Sequence, residues 1–202
     1  VARGLRLNAL RRPGFAWLLL AALLAVGSLV AWFLPTAFLD WQPDLVVSEP
    51  WRWWTAAFVH WSPLHLGANL LGTALVAALG WAGRLPARTA LAWFIAWPLL
   101  HLLLLGEPAL AHYGGLSGVL HAGVAAAAVE LVCAQRGRPR AIGAALLVGL
   151  AAKIGLEAPW GPPLRHPADW DIAIAPLAHA TGVLAGGGAA LLSWWLQRQS
   201  RR

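Results

Sequence analysis

The sequence predicts an all-α polytopic membrane protein, a bundle of six transmembrane helices forming a single domain over residues 1–202. Three observations predict it. Hydrophobic residues make up 59% of the chain and charged residues only 11%, against about 25% charged in soluble domains, so there are too few charges to cover a water-facing surface. Apolar runs recur at close to the roughly 20 residues that a helix rising about 1.5 Å per residue needs to cross a hydrocarbon core of about 30 Å. The basic residues are distributed over alternate connections between those runs rather than gathered in one patch.

The first run, 15–34, carries no charge and exceeds the apolar core of a signal peptide. Pro35 and Thr36 follow it without a small-residue cleavage site, so it reads as a retained first span. Five further spans are expected at 64–83, 89–106, 116–134, 141–158 and 176–195. Short links containing Pro86 and Pro139 join the second span to the third and the fourth to the fifth, while two long loops, 35–63 and 159–175, lie on the opposite side. Trp41, Trp51, Trp53, Trp54 and Trp61 cluster in the first long loop, where indoles anchor at the headgroup level. The single cysteine, Cys133, cannot form an intrachain disulfide and reads as a small core residue. No linker, low-complexity segment or internal repeat divides the chain.

A net charge of +7 raises nucleic acid as a partner, and the distribution of the charge excludes it. Arg3, Arg6, Arg11, Arg12, Arg84, Arg88, Arg136, Arg138, Arg140, Arg198, Arg201 and Arg202 all fall on one side of a chain that crosses six times. The other side carries Asp40, Asp44, Glu49, Glu107, Glu157, Asp169 and Asp171, with Arg52 and Arg165 as its basic residues. By the positive-inside rule both termini are cytoplasmic and the acidic loops external. The lipid bilayer, not a polyanion, accounts for the charge.

Polar side chains inside a span are costly, so each is a functional candidate. His65 and Asn69 lie four residues apart at the start of the second span, on one helical face. Ser117 opens the fourth span within Gly114-Gly115-Leu116-Ser117-Gly118-Val119-Leu120-His121, and His179 lies in the sixth, followed by Gly182 and Gly186. All lie in the external halves of their spans and can converge. A serine hydroxyl becomes a useful nucleophile when a base takes its proton, and imidazole suits that task near neutrality. The oxyanion that forms needs donors, which the backbone N–H of Ser117 and the side chains of His65 and Asn69 can supply. Gly118 and Ala122, and Gly182 and Gly186, are small residues spaced by four that let two membrane helices pack closely. This chemistry needs neither a metal nor a cofactor.

In four places the chain resembles the rhomboid intramembrane serine proteases. Trp51-Arg52 is similar to their first-loop Trp-Arg pair; His60, His65 and Asn69 match H-x4-H-x3-N; Gly115-x-Ser117-Gly118 matches G-x-S-G; and His179-x-x-Gly182-x-x-x-Gly186 matches the last helix. The resemblance implies a six-helix rhomboid-like bundle in which Ser117 and His179 form a dyad without a third, acidic member. It implies an oxyanion hole of His65, Asn69 and the Ser117 N–H, with Gly115, Gly118, Gly182 and Gly186 in support, and single-span membrane proteins as substrates. His121 stands where many rhomboids carry an aromatic that stacks beneath the catalytic histidine. With the compact chain and the Lys153/Glu157 pair, that string resembles the rhombosortase branch, which is associated with C-terminal Gly-Gly, apolar-helix and basic-tail signals. A bacterial inner membrane location follows, with the site facing the periplasm.

Several residues have plainer readings. His60, His101 and His112 are taken as structural, and His121 divides evenly between stacking support and packing. Lys153 and Glu157, four apart on one helix, either neutralise each other or contact the polar end of a substrate segment. Glu130 lies thirteen residues after Ser117, about 20 Å along a helix, too far to be an acid partner of the site. Two other classes stand as alternatives: a catalytically inactive rhomboid relative that binds membrane proteins, and a haem or metal membrane protein using some of the seven histidines. The lack of H-E-x-x-H argues against a zinc peptidase.

Overall fold

The computed structural model describes residues 12–200. Arg3, Arg6, Arg11, Arg201 and Arg202 lie outside that range. Six long helices run through it: α1 Phe15–Ala31, α2 Pro63–Ala82, α3 Ala87–Leu104, α4 Ser117–Ala134, α5 Arg138–Glu157 and α6 Pro176–Gln199. By length and composition α2, α3, α4 and α5 are able to cross a membrane, and α1 is an apolar helix of 17 residues. The chain is therefore a multi-pass integral membrane protein.

Three expectations change in detail. The first helix stops at Ala31 rather than residue 34, because Trp32, Phe33 and Leu34 turn towards Pro35. Pro139 lies in the first turn of α5 and not in a link, a position where its missing N–H costs no helical bond. The longest helix, α6, is not among the four apolar spans, since glycines at 182, 186, 187 and 188 and the polar Gln197 and Arg198 dilute its hydropathy.

Helix α4 sits at the centre, its side chains buried nearly all round. On one side Trp93 of α3 donates its indole N–H to the Val119 carbonyl at 2.7 Å and packs against Trp17 of α1 with the rings tilted by 35°, 4.4 Å between centroids. Trp17 in turn donates to Val76 of α2 at 2.7 Å. On the other side α4 meets α6 backbone to backbone: a Cβ on Gly182 would lie 2.2 Å from the Gly118 carbonyl oxygen, and one on Gly186 2.1 Å from that of Ala122. The expected small-residue seam is thus present, and it brings the starts of α4 and α6 together. Helix α5 is peripheral, with Gly143 and Leu150 its buried residues.

The segment between α1 and α2 is held by a buried guanidinium. Arg52 donates to Asp40 Oδ1 at 3.0 Å, to the Asp40 carbonyl at 2.7 Å and to Glu49 at 2.7 Å. Trp41 pairs with Tyr113 through reciprocal backbone hydrogen bonds of 2.7 and 3.0 Å, which fixes the strand-like approach to α4. Trp41 is not free to anchor in lipid, as an exposed indole of that loop would be. It is fully buried and stacked on His101, whereas Trp51, Trp54 and Trp61 are exposed.

Candidate active site

Three helix starts and one helix end meet at the same end of the bundle. Ser62 caps α2 by accepting the His65 N–H at 3.0 Å, and its hydroxyl donates to Asp171 at 2.8 Å. That contact ties the segment between α5 and α6 over the site. Ser117 is the first residue of α4, so the free N–H groups of a helix N-terminus lie beside its hydroxyl. The turn before it depends on Gly115, which has φ +130° and whose Cβ would sit 2.8 Å from His65 Nε2. Only glycine satisfies both the backbone angle and the space. Gly118 is similarly constrained, since a Cβ there would lie 2.9 Å from the Ala178 carbonyl oxygen.

His179 Nε2 lies 2.9 Å from Ser117 Oγ, within hydrogen-bond distance for proton transfer. His121 packs beneath it, with ring centroids 4.3 Å apart and planes within 16°. Its own Nδ1 is 2.7 Å from the Ser117 carbonyl oxygen, so that ring donates to the backbone and supports His179 from below. His65 Nδ1 and Asn69 Nδ2 are buried without a hydrogen-bond partner among the described residues. Both residues line, with Ser117, His121 and His179, a cavity of about 410 Å³. Orphaned buried polar atoms are expensive, and both belong to side chains that line this cavity beside Ser117.

The apolar part of that cavity runs down Gly72, Leu75 and Val76 of α2, Leu120 and Val124 of α4 and Leu150 of α5, and is roofed by Trp170, Ile172 and Ile174. Its lining suits an extended apolar segment. Tyr113 closes the opposite wall, buried, its hydroxyl 3.2 Å from the Gly115 carbonyl oxygen; burial pushes the phenol well above its ordinary range. Sequence reasoning did not single it out.

The structure departs from the expectation of a dyad without an acid. Glu157, the last residue of α5, places Oε2 2.7 Å from His179 Nδ1 and Oε1 2.5 Å from Lys153 Nζ. The Lys153/Glu157 pair therefore forms, but one carboxylate oxygen is left for the histidine. A signal was present in the sequence: Glu157 closes the fifth run and His179 opens the sixth on the same side, which puts them at matching depth. Glu130 is paired with Arg88 at the far end of the bundle.

Three further histidines, His60, His101 and His112, form no hydrogen bond with Ser117. His60 donates to the Phe58 carbonyl at 3.0 Å, its ring 4.7 Å from that of His65; burial lowers its pKa to about 4, so it is neutral and walls His65 in place. His101 bonds the Trp53 carbonyl at 2.7 Å. His112 borders the cavity but its Nδ1 is engaged by Asp40 at 2.7 Å.

A family model described as the Rhomboid domain matches residues 47–196, a stretch that contains every residue of the site just described. No curated protein matches the chain.

Proposed function

The chain belongs to the rhomboid family, and we propose that it is an active intramembrane serine endopeptidase that cuts single-span membrane proteins near the membrane surface. The observation that carries this reading is the 2.9 Å approach of His179 Nε2 to Ser117 Oγ in a cavity also lined by His65 and Asn69, each with an unpartnered buried nitrogen. In the proposed reaction the Ser117 hydroxyl proton passes to His179 Nε2 as Oγ bonds the scissile carbonyl carbon. The carbonyl π pair moves onto oxygen, where Asn69, His65 and the Ser117 N–H stabilise it. When the intermediate collapses, the C–N bond breaks and the leaving amine takes the proton from Nε2. A water, deprotonated by the same nitrogen, then releases the acyl group. One positioned base is worth about 10² to 10⁴ in rate, and one oxyanion donor about 10² to 10³.

Substrate entry follows from the lining of the cavity. Its apolar walls run from α2 across α4 to Leu150 of the peripheral α5, which supports entry of the substrate helix between α2 and α5, with unwinding at Ser117. Within the family we assign the chain to the rhombosortase branch, with Gly-Gly-bearing C-terminal anchor signals as substrates. The assignment rests on Gly115-Leu116-Ser117-Gly118-Val119-Leu120-His121 and on the Lys153/Glu157 pair. Co-expression with tagged single-span proteins, with and without a Gly-Gly anchor signal, tests it. Cleavage of the Gly-Gly substrates, lost in Ser117→Ala, is expected; equal cleavage in Ser117→Ala refutes the enzyme reading.

The proposed orientation has six crossings, cytoplasmic termini and a periplasmic site in a bacterial inner membrane. It is supported by Arg84, Arg88, Arg136, Arg140 and Arg198, which border one polar cavity at the end opposite Ser117. A reporter inserted near Asp169 should read as external and one near Arg138 as cytoplasmic; the reverse overturns the orientation.

A further inference from the structure

Resting on the serine-protease reading, we infer that Glu157 is a positioning residue of the reaction: its carboxylate fixes the hydrogen of His179 on Nδ1 and offsets the charge of the imidazolium formed when Nε2 takes the Ser117 proton. The arrangement is then a Ser–His–Glu triad whose acid arrives from α5, in place of the acid-free dyad.

The geometry leads there by elimination of tautomers. An ionised carboxylate only accepts, so the 2.7 Å contact from Glu157 Oε2 requires hydrogen on His179 Nδ1. Nε2 then presents its lone pair to Ser117 Oγ, the one arrangement that allows it to act as a base. Without Glu157 the neutral ring is free to carry its hydrogen on Nε2, where it cannot accept the Ser117 proton. Both side chains are largely shielded, 9% exposed for His179 and 14% for Glu157, and charge compensation at such sites is stronger than in water. The proton moves from Ser117 to Nε2 and on to the leaving amine, and the Nδ1 hydrogen stays on nitrogen throughout.

The placement of Glu157 is also built. Helix α5 ends at this residue because Ala158 adopts the left-handed conformation, φ 47°. Arg165 donates to the Glu157 carbonyl at 2.8 Å. Reciprocal backbone bonds of 2.9 and 2.8 Å between Arg165 and Ile174 then fold the chain back to the start of α6, which carries His179. Lys153 holds the second carboxylate oxygen, so the acid is not left as a lone charge in the membrane. A simple strut between α5 and α6 would need no partner on the nitrogen opposite the nucleophile.

The test uses the purified full chain in detergent micelles and a fluorophosphonate probe, whose inactivation kinetics separate KI from kinact. Glu157→Gln is expected to lower kinact by about 10²- to 10⁴-fold while KI stays within about threefold. Glu157→Asp, which keeps a carboxylate at the end of α5, should regain reactivity that the glutamine lacks. Lys153→Met leaves the Nδ1 contact in place and should cost less than about tenfold. Thermal unfolding of each variant is followed in parallel. Wild-type kinact in Glu157→Gln overturns the inference, as does a loss explained wholly by unfolding. Ser117→Ala separates the two readings: probe lost there but retained at full rate in Glu157→Gln sinks this inference alone, whereas an intact chain that never labels sinks the protease reading and this with it.

Discussion

The seam between α4 and α6 and the cleft between α2 and α5 draw on the same small and aliphatic residues, yet one is closed and the other open. In the seam, glycines at 182 and 186 leave no room for a methyl group against the α4 backbone. In the cleft, Gly72, Leu75, Val76 and Leu150 line part of a cavity of about 410 Å³ that it shares with Ser117 and His179, and α5 itself is loosely packed, with nothing within 4 Å of a Cβ position at Gly149 or Gly155. The difference separates two tasks. Ser117 and His179 sit on the two helices that cannot slide apart, so their 2.9 Å approach is held by packing. Access is left to the loosely packed side, and Glu157 is the side chain on that side that reaches back to the pair.

The largest expected effect tests which ring works across the closed seam. Ser117 and His121 are four apart on one helix, so a local pairing is conceivable from spacing alone, but His121 Nδ1 is engaged by the Ser117 carbonyl and its ring lies under His179. His179→Phe should reduce cleavage to background, whereas His121→Phe, which preserves stacking, should stay measurably active. The opposite pattern makes His121 the base.

Smaller effects contrast the seam with the loosely packed α5 in stability. Gly186→Val forces branched atoms against the Ala122 carbonyl and should cost at least about 1–3 kcal/mol, the usual penalty for overpacking, seen as a lower unfolding midpoint in detergent. Gly149→Ala meets no neighbour and should be neutral or stabilising by up to about 1 kcal/mol through helix propensity. Equal responses at the two positions would mean that the seam is not the rigid element described here.

These contrasts were unevenly legible in the sequence. The helices follow from apolar runs, because hydrocarbon thickness sets their length whatever they pack against. Ser117, His65, Asn69 and His179 stand out because polar groups are rare inside such runs, and the seam because small residues four apart on two helices have few other uses. Glu157 read as a partner for Lys153, four residues away on its own helix, and its depth matched to that of His179 was the one hint of a second contact. Its contact with His179 joins two helices across an eighteen-residue segment, Ala158 to Ala175, and depends on that segment folding back through Arg165. The burial of Trp41 was hidden for a related reason: amphipathic indoles suit both a headgroup layer and a packed loop, and the pairing with Tyr113 decides between them. Pro139 looked like a helix breaker because its place in the first turn of α5 is not encoded in the residue itself.

The measurement that bears most directly on the account is the site of covalent capture by a fluorophosphonate probe, read by peptide mapping of the labelled full-length chain. The account predicts one adduct, on the peptide containing Ser117, absent in Ser117→Ala and reduced to background in His179→Phe. An adduct on another residue, or labelling that persists in Ser117→Ala, would contradict it.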